Sequence, residues 1–280
     1  MSKEINFTIR YTGGKADESL LDLYDAAASM QGFAKALGIT SHALINDGAI
    51  RHRVDSIPNV KFYLHPPKKG SFIELVTVVF EDPAVLAIGS SVIVAAFWDF
   101  VNFTWRQATG RPAELTETTT RRIVANNELI AQEIEHALEN PLQLIHRPIQ
   151  NDRNIEIEIK RPRVGTVLKF NRETFDYVSS QSDPEELVNV LGNVTKYNNL
   201  SGIGRFYDDA QGRTVSFHCQ KDLSDEEVQL LSWSLHAANQ VRGEGKVLLT
   251  IDVIKSTSGH IKRYIIKNVE RNGDARQRVS

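Results

Sequence analysis

The chain has 280 residues, 41% hydrophobic and 24% charged, with a formal net charge of −2. That is globular composition with enough apolar residues for a sizeable core, over a length that suits two domains, and it excludes a global basic field, so any nucleic-acid contact requires a local patch. One cysteine, Cys219, excludes an internal disulfide and a cysteine-rich zinc site and fits a reducing cytosol.

The opening "MSKEINFTIRYTGG" mixes charges into an alternating pattern and has no apolar core of the secretory kind, which argues for a cytoplasmic chain. Residues 5–11 alternate apolar and polar, predicting a strand that ends at the Gly13-Gly14 turn. Asp17 then caps a helix whose apolar spacing runs to Leu37, with Gly38 as its stop and a shorter helix at 41–46. "VKFYLH" and "SFIELVTVVF" read as strands, joined by "PPKKG", which cannot sit inside a sheet.

The most apolar stretch is "DPAVLAIGSSVIVAAFWDFVNFTW". Asp82 as cap and Pro83 at the first helical position predict a helix over 83–105. Two readings stand for it. One is a helix buried in the fold or in a partner interface. The other is membrane association, with Ala87, Ser91 and Ala95 as a small-residue packing stripe and Trp98, Phe100, Phe103 and Trp105 as an interfacial belt. "RPAELTETTTRR" is a polar linker, and the segment through residue 140 reads as one amphipathic helix ending near Asn140-Pro141. "IEIEIK" is a half-buried strand with "VGTVLKF" as its return partner.

The last hundred or so residues give three strands (188–198, 204–208, 213–219), a helix opened by the Ser224/Glu227 capping box, and two strands joined by "STSGH". Three strands, a helix and two strands is the element order of an OB-fold. The predicted fold is therefore α+β: a mixed α/β region at 1–150, a strand pair and connector at 151–184, a five-stranded barrel at 185–270 and a polar tail at 271–280.

No catalytic constellation emerges. The eight histidines are scattered, with no pair at metal-ligand spacing beside a carboxylate, so no metal and no cofactor is expected. His218 and Cys219 are strand neighbours and point to opposite faces. "GIGRF" lacks the helix a dinucleotide fingerprint needs, and no P-loop occurs. The expectation is a non-enzymatic protein.

The stretch "GNVTKYNNLSGIGRF", with Gly192, Val194, Tyr197, Asn198, Gly202 and Gly204, resembles the first half of bacterial cold-shock domains, and "TVSFHC", with Val215 and His218, resembles their second nucleic-acid motif. The resemblance covers roughly thirty residues of a barrel of about eighty, and it implies single-stranded DNA or RNA as the partner, bound by bases stacked on rings. Here the family's stacking positions hold Lys196, Ile203, Arg205 and Ser216, so most of the ring surface is replaced. The candidate contacts are then Arg205 stacking through its guanidinium, Lys196 and Arg213 on phosphates, and Tyr197, Tyr207, Phe217 and His218 as remaining rings. His260 and Lys262, with Lys255 and Arg263, extend the basic edge at the last hairpin. The whole arrangement also resembles accessory or effector proteins of bacterial antiphage operons, including some beside retron reverse transcriptases. That resemblance implies an antiviral role with partner proteins from the same operon. The rival expectation is a membrane-acting effector using 83–105 with the barrel as sensor, or a structural subunit of a larger complex.

Overall fold

The computed structural model describes all residues except 1, 52–55, 67–72, 82, 84–86, 88, 128, 180–184, 242, 258 and 273–280. The chain divides into two compact units, 1–178 and 179–280.

The first unit is a five-stranded sheet with helices packed on one face. Its elements are β1 (Lys3–Thr12), α1 (Leu23–Ile45), β2 (Val60–Leu64), β3 (Ile73–Phe80), α2 (Ser90–Gln107), α3 (Thr118–Asn126), α4 (Ile130–Ile145), α5 (Arg147–Asn151), β4 (Glu156–Arg161), β5 (Gly165–Phe170) and α6 (Arg172–Val178). The strand order is β2-β3-β1-β4-β5, with every pair antiparallel. Alternation decides the faces. Ile5, Phe7, Ile9 and Tyr11 of β1 lie in register with Val76 and Val78 of β3 and with Ile157 and Ile159 of β4, and all are buried.

α2 lies against that apolar face. Phe7 meets Trp98 edge-on at 5.5 Å and Phe80 meets Phe97 at 5.9 Å, while Trp105 stacks on Phe170 at 6.2 Å. The Trp105 indole also donates to Thr40 Oγ1 at 2.9 Å. The hydrophobic segment is thus a core helix of this unit, and no helix among the described residues is long and apolar enough to cross a membrane. Pro83 and Ala87 are helical, as predicted, but Gly89 at φ +105° interrupts the segment, so that α2 proper starts at Ser90; the proposed cap Asp82 lies outside the described residues. Asp99, the charge that interrupts the apolar run, accepts from Thr116 N and Oγ1, Glu117 N and Thr120 Oγ1. It thereby ties the start of α3 to α2. Burial raises its pKa, but these four donors outweigh that and hold the carboxyl below its ordinary value.

Three sequence boundaries are corrected. α1 is one helix capped by Asp22, whose carboxylate accepts from Tyr24 N and Asp25 N, and it runs through Gly38 to Ile45. An interior glycine costs about 1 kcal/mol, which the buried C-terminal half of α1 offsets. The predicted helix through residue 140 is two helices, broken at the extended Asn127, and Pro141 lies inside α4. There its carbonyl approaches α1 so closely that a Cβ on Gly32 would sit 2.6 Å from it. The 151–184 strand pair is no connector: β4 pairs with β1, so both strands belong to the first sheet.

The second unit is a closed barrel of β6 (Glu185–Asn198), β7 (Ile203–Asp208), β8 (Arg213–Cys219), β9 (Val247–Lys255) and β10 (Ile261–Arg271), with α7 (Asp225–Gln240) between β8 and β9. β6 pairs with β7 and β7 with β8, both antiparallel. β8 pairs with β10 in parallel, β10 pairs with β9 antiparallel, and β9 closes on β6. This is an OB-like barrel. β6 serves both of its neighbours by bending at two register shifts, between Leu187 and Val190 and between Val194 and Lys196. The capping box is present in full at the start of α7. Gly192 and Gly204 sit where strands crowd the core. A Cβ on Gly192 would lie 2.0 Å from Tyr207 O, and one on Gly204 would lie 2.3 Å from the Phe217 ring.

Candidate nucleic-acid interface

Barrel register sorts the candidate residues by face. Val194, Phe206 and Val215 form one inward row across β6, β7 and β8, and Tyr197, Gly204 and Phe217 form the next. The residues between them project outward. Lys196 faces Arg205 and Arg205 faces Ser216, so the three make one outward row. Tyr264 of β10 is in register with Phe217, which puts Arg263 beside Ser216 and extends the row to a fourth strand. Neighbouring strands lie about 4.8 Å apart. Three cations thus cross the barrel face with the small Ser216 between the two arginines.

One outward row to the side holds Asn193, Tyr207 and Thr214, with Tyr207 40% exposed. The row on the other side holds Asn198, Ile203 and His218, and Ile203 in its middle is buried. Arg205 is half-buried. Its Nε is shielded from solvent with no hydrogen-bond acceptor, and it forms no ion pair with the described residues. Lys267 of β10 differs: it pairs with both Glu186 of β6 and Asp252 of β9.

Lys196, Arg205, Tyr207 and His218 therefore share the outward face, while the other five residues singled out from the sequence lie elsewhere. Phe217 is 1% exposed and fills the barrel interior. Tyr197 packs on it at 5.9 Å, with its hydroxyl donating to Asn199 Oδ1 and meeting Cys219 Sγ at 3.8 Å. Burial and the neighbouring thiol push the Tyr197 hydroxyl above its ordinary range, and burial likewise pushes up the Cys219 thiol, which makes it a poor nucleophile. Arg213 opens β8 opposite Asp208, whose buried carboxylate is occupied by Tyr264 OH at 2.7 Å and the amides of Ala210 and Gln211. His260 belongs to the β9–β10 hairpin, where its amide donates to Ser256 Oγ, and Lys262 falls at the irregularity between Ile261 and Arg263. The parallel pairing of β8 and β10 sets these last two near the start of β8, the Arg213 end of the face.

Sequence reading grouped Arg263 with the hairpin rather than with Arg205. Only the β8–β10 register joins them, and a pairing between strands so far apart in the chain leaves no local signal. No group of three or more His, Cys, Asp or Glu among the described residues is placed to hold a metal ion.

A family model described as a domain of unknown function (DUF7946) matches residues 7–179, and the chain belongs to that family. The match covers the sheet unit and stops where the barrel unit begins. No curated protein and no solved structure matches the chain.

Proposed function

We propose that the barrel of this DUF7946 protein binds single-stranded nucleic acid across the outward face of β6, β7, β8 and β10, and that the protein acts by binding rather than by catalysis. The observation that carries the reading is the row Lys196–Arg205–Ser216–Arg263, with Arg205 lacking a carboxylate partner among the described residues. A half-buried guanidinium with no carboxylate partner among the described residues can take a phosphate, and charge-assisted bonds of this kind are the strong ones. Tyr207 offers one exposed ring beside the row. Binding is thus dominated by the backbone phosphates, with stacking as a lesser term, and it carries weak sequence preference.

Fluorescence anisotropy of the full chain with labelled single-stranded DNA and RNA tests this. The expected result is saturable binding that weakens with salt, with a log–log slope of about −2 for three phosphate contacts on a single strand. Arg205→Ala lowers affinity about tenfold, as expected for about 1.5 kcal/mol from a hydrogen bond to a charged group, and Arg263→Ala lowers it further. Absence of salt-sensitive binding to any single strand, or unchanged binding by both variants, overturns the proposal.

A further inference from the structure

A second feature of the barrel unit lies away from the outward row. Trp233 on α7, the loop from Gly243 to Lys246, Arg271 at the end of β10 and Asn272 line an open groove of about 460 Å³. That volume falls within the range of small-molecule sites. The Arg271 guanidinium lies over the Trp233 ring at 4.1 Å, and Arg271 forms no ion pair with the described residues.

The loop that walls the groove is pinned from three sides. Asn193 Nδ2 donates to Glu244 O at 2.7 Å, and Lys246 Nζ pairs with both oxygens of Asp209 at 2.6 Å. The fully buried Ser234 donates to Gly245 O at 2.6 Å while accepting from Val194 N at 3.0 Å, so helix, strand and loop are locked together. The space beside Gly243 is open, with nothing within 4 Å of where a Cβ would be. The groove is therefore preformed, which lowers the ordering cost of binding. Lys246 is neutralised by Asp209, so the cation on offer is Arg271, with the Glu244 carboxylate also in the lining.

The geometry points to a binding site for a nucleoside 5′-phosphate in this groove. Arg271, already stacked on Trp233, offers its outer planar face to a base and its N–H edge to a phosphate. The ligand is either a free mononucleotide or the 5′-terminal nucleotide of a strand. The site does not rest on the strand-binding reading of the outward face.

Intrinsic tryptophan emission of the full chain reads this site, because Trp98 and Trp105 are buried in the other unit. Titration with AMP is expected to give a saturable change, with affinity reduced at least tenfold in Arg271→Ala and unchanged in Arg205→Ala. Arg271→Lys keeps the charge but loses the planar stack, and it is expected to bind more weakly than wild type with an unaltered melting temperature. If AMP gives no signal, a gain in oligonucleotide affinity on adding a 5′-phosphate, abolished by Arg271→Lys, identifies the strand end as the ligand. No saturable response to AMP together with no effect of the 5′-phosphate overturns the site, as does equal AMP binding by wild type and Arg271→Lys. Failure of the outward-face reading appears separately, as strand binding insensitive to Arg205→Ala.

Discussion

Three buried polar groups of the sheet unit and two arginines of the barrel unit contrast in how they are paired. In the sheet unit Ser29, Asp25 and His146 are tied inside. Ser29 Oγ donates to Ile145 O at 3.0 Å, so the Tyr11 hydroxyl is the donor in its 2.8 Å bond to Ser29. Asn151 Nδ2 lies 2.8 and 2.9 Å from the two oxygens of the buried Asp25. His146, fully buried, bonds Leu142 O through Nδ1 and Thr174 Oγ1 through Nε2. Each group satisfies another, and together they fix helices to one another and to the sheet. In the barrel unit, Arg205 and Arg271 sit at the surface without carboxylate partners among the described residues. These buried groups of the first unit thus mark packing, whereas the two arginines of the second are where a ligand is proposed to bind.

Two substitutions test the division through stability. Gly192→Ala is expected to have the largest effect, because its Cβ would lie 2.0 Å from Tyr207 O and 2.5 Å from the Phe206 ring. Neither backbone nor core ring moves cheaply, so the barrel loses about 3 kcal/mol, the upper range for overpacking. Segment-resolved hydrogen exchange should show faster exchange in 185–271 and little change in 3–178. Equal loss in both parts would mean that they unfold as one unit.

The second substitution acts on the sheet unit. Burial holds the His146 pKa down to about 4 against 6.5 for the free side chain. The unfolded chain therefore takes up a proton near pH 6.5 that the folded chain refuses until about pH 4. Stability from this group is fully present above pH 6.5 and falls as pH drops through that window. At 1.36 kcal/mol per pKa unit the loss is about 3 kcal/mol by pH 4. Urea melts of wild type and His146→Gln from pH 7 to pH 4 should converge on acidification. Parallel curves would place the proton elsewhere.

The sequence made the barrel more legible than the sheet unit. Short strands, a capping box and a hairpin signal are local, so β7, β8, α7, β9 and β10 fall close to their predicted places. β6 starts three residues earlier than predicted, at Glu185, because pairing with β9 carries it past the irregular Asn189. The helices of the sheet unit were less legible. Gly38 reads as a stop and Pro141 as an end, yet packing between α1 and α4 holds both inside helices. The membership of β4 and β5 in the first sheet depends on a pairing between Tyr11 and Ile157, which local pattern does not encode. Alternation separated Arg205 and Tyr207 from Phe206, but the register shift after Val194 reverses the face of Tyr197. Simple counting from Val194 misses that bulge.

The smallest expected effect concerns the balance between charge and stacking on the barrel face. Tyr207 projects outward at 40% exposure, whereas Tyr197 and Phe217 belong to inward rows. One base–ring contact is worth about 1 kcal/mol at the low end, so Tyr207→Ala should weaken single-strand binding about fivefold. Tyr207→Phe keeps the ring and should bind as wild type. The loss should also persist at high salt, where the contribution of Lys196, Arg205 and Arg263 fades, because stacking releases no counterions. A fall larger than that of Arg205→Ala would make the ring, rather than the cationic row, the principal contact. Lys196, Arg205 and Arg263 would then guide the strand past the ring rather than hold it.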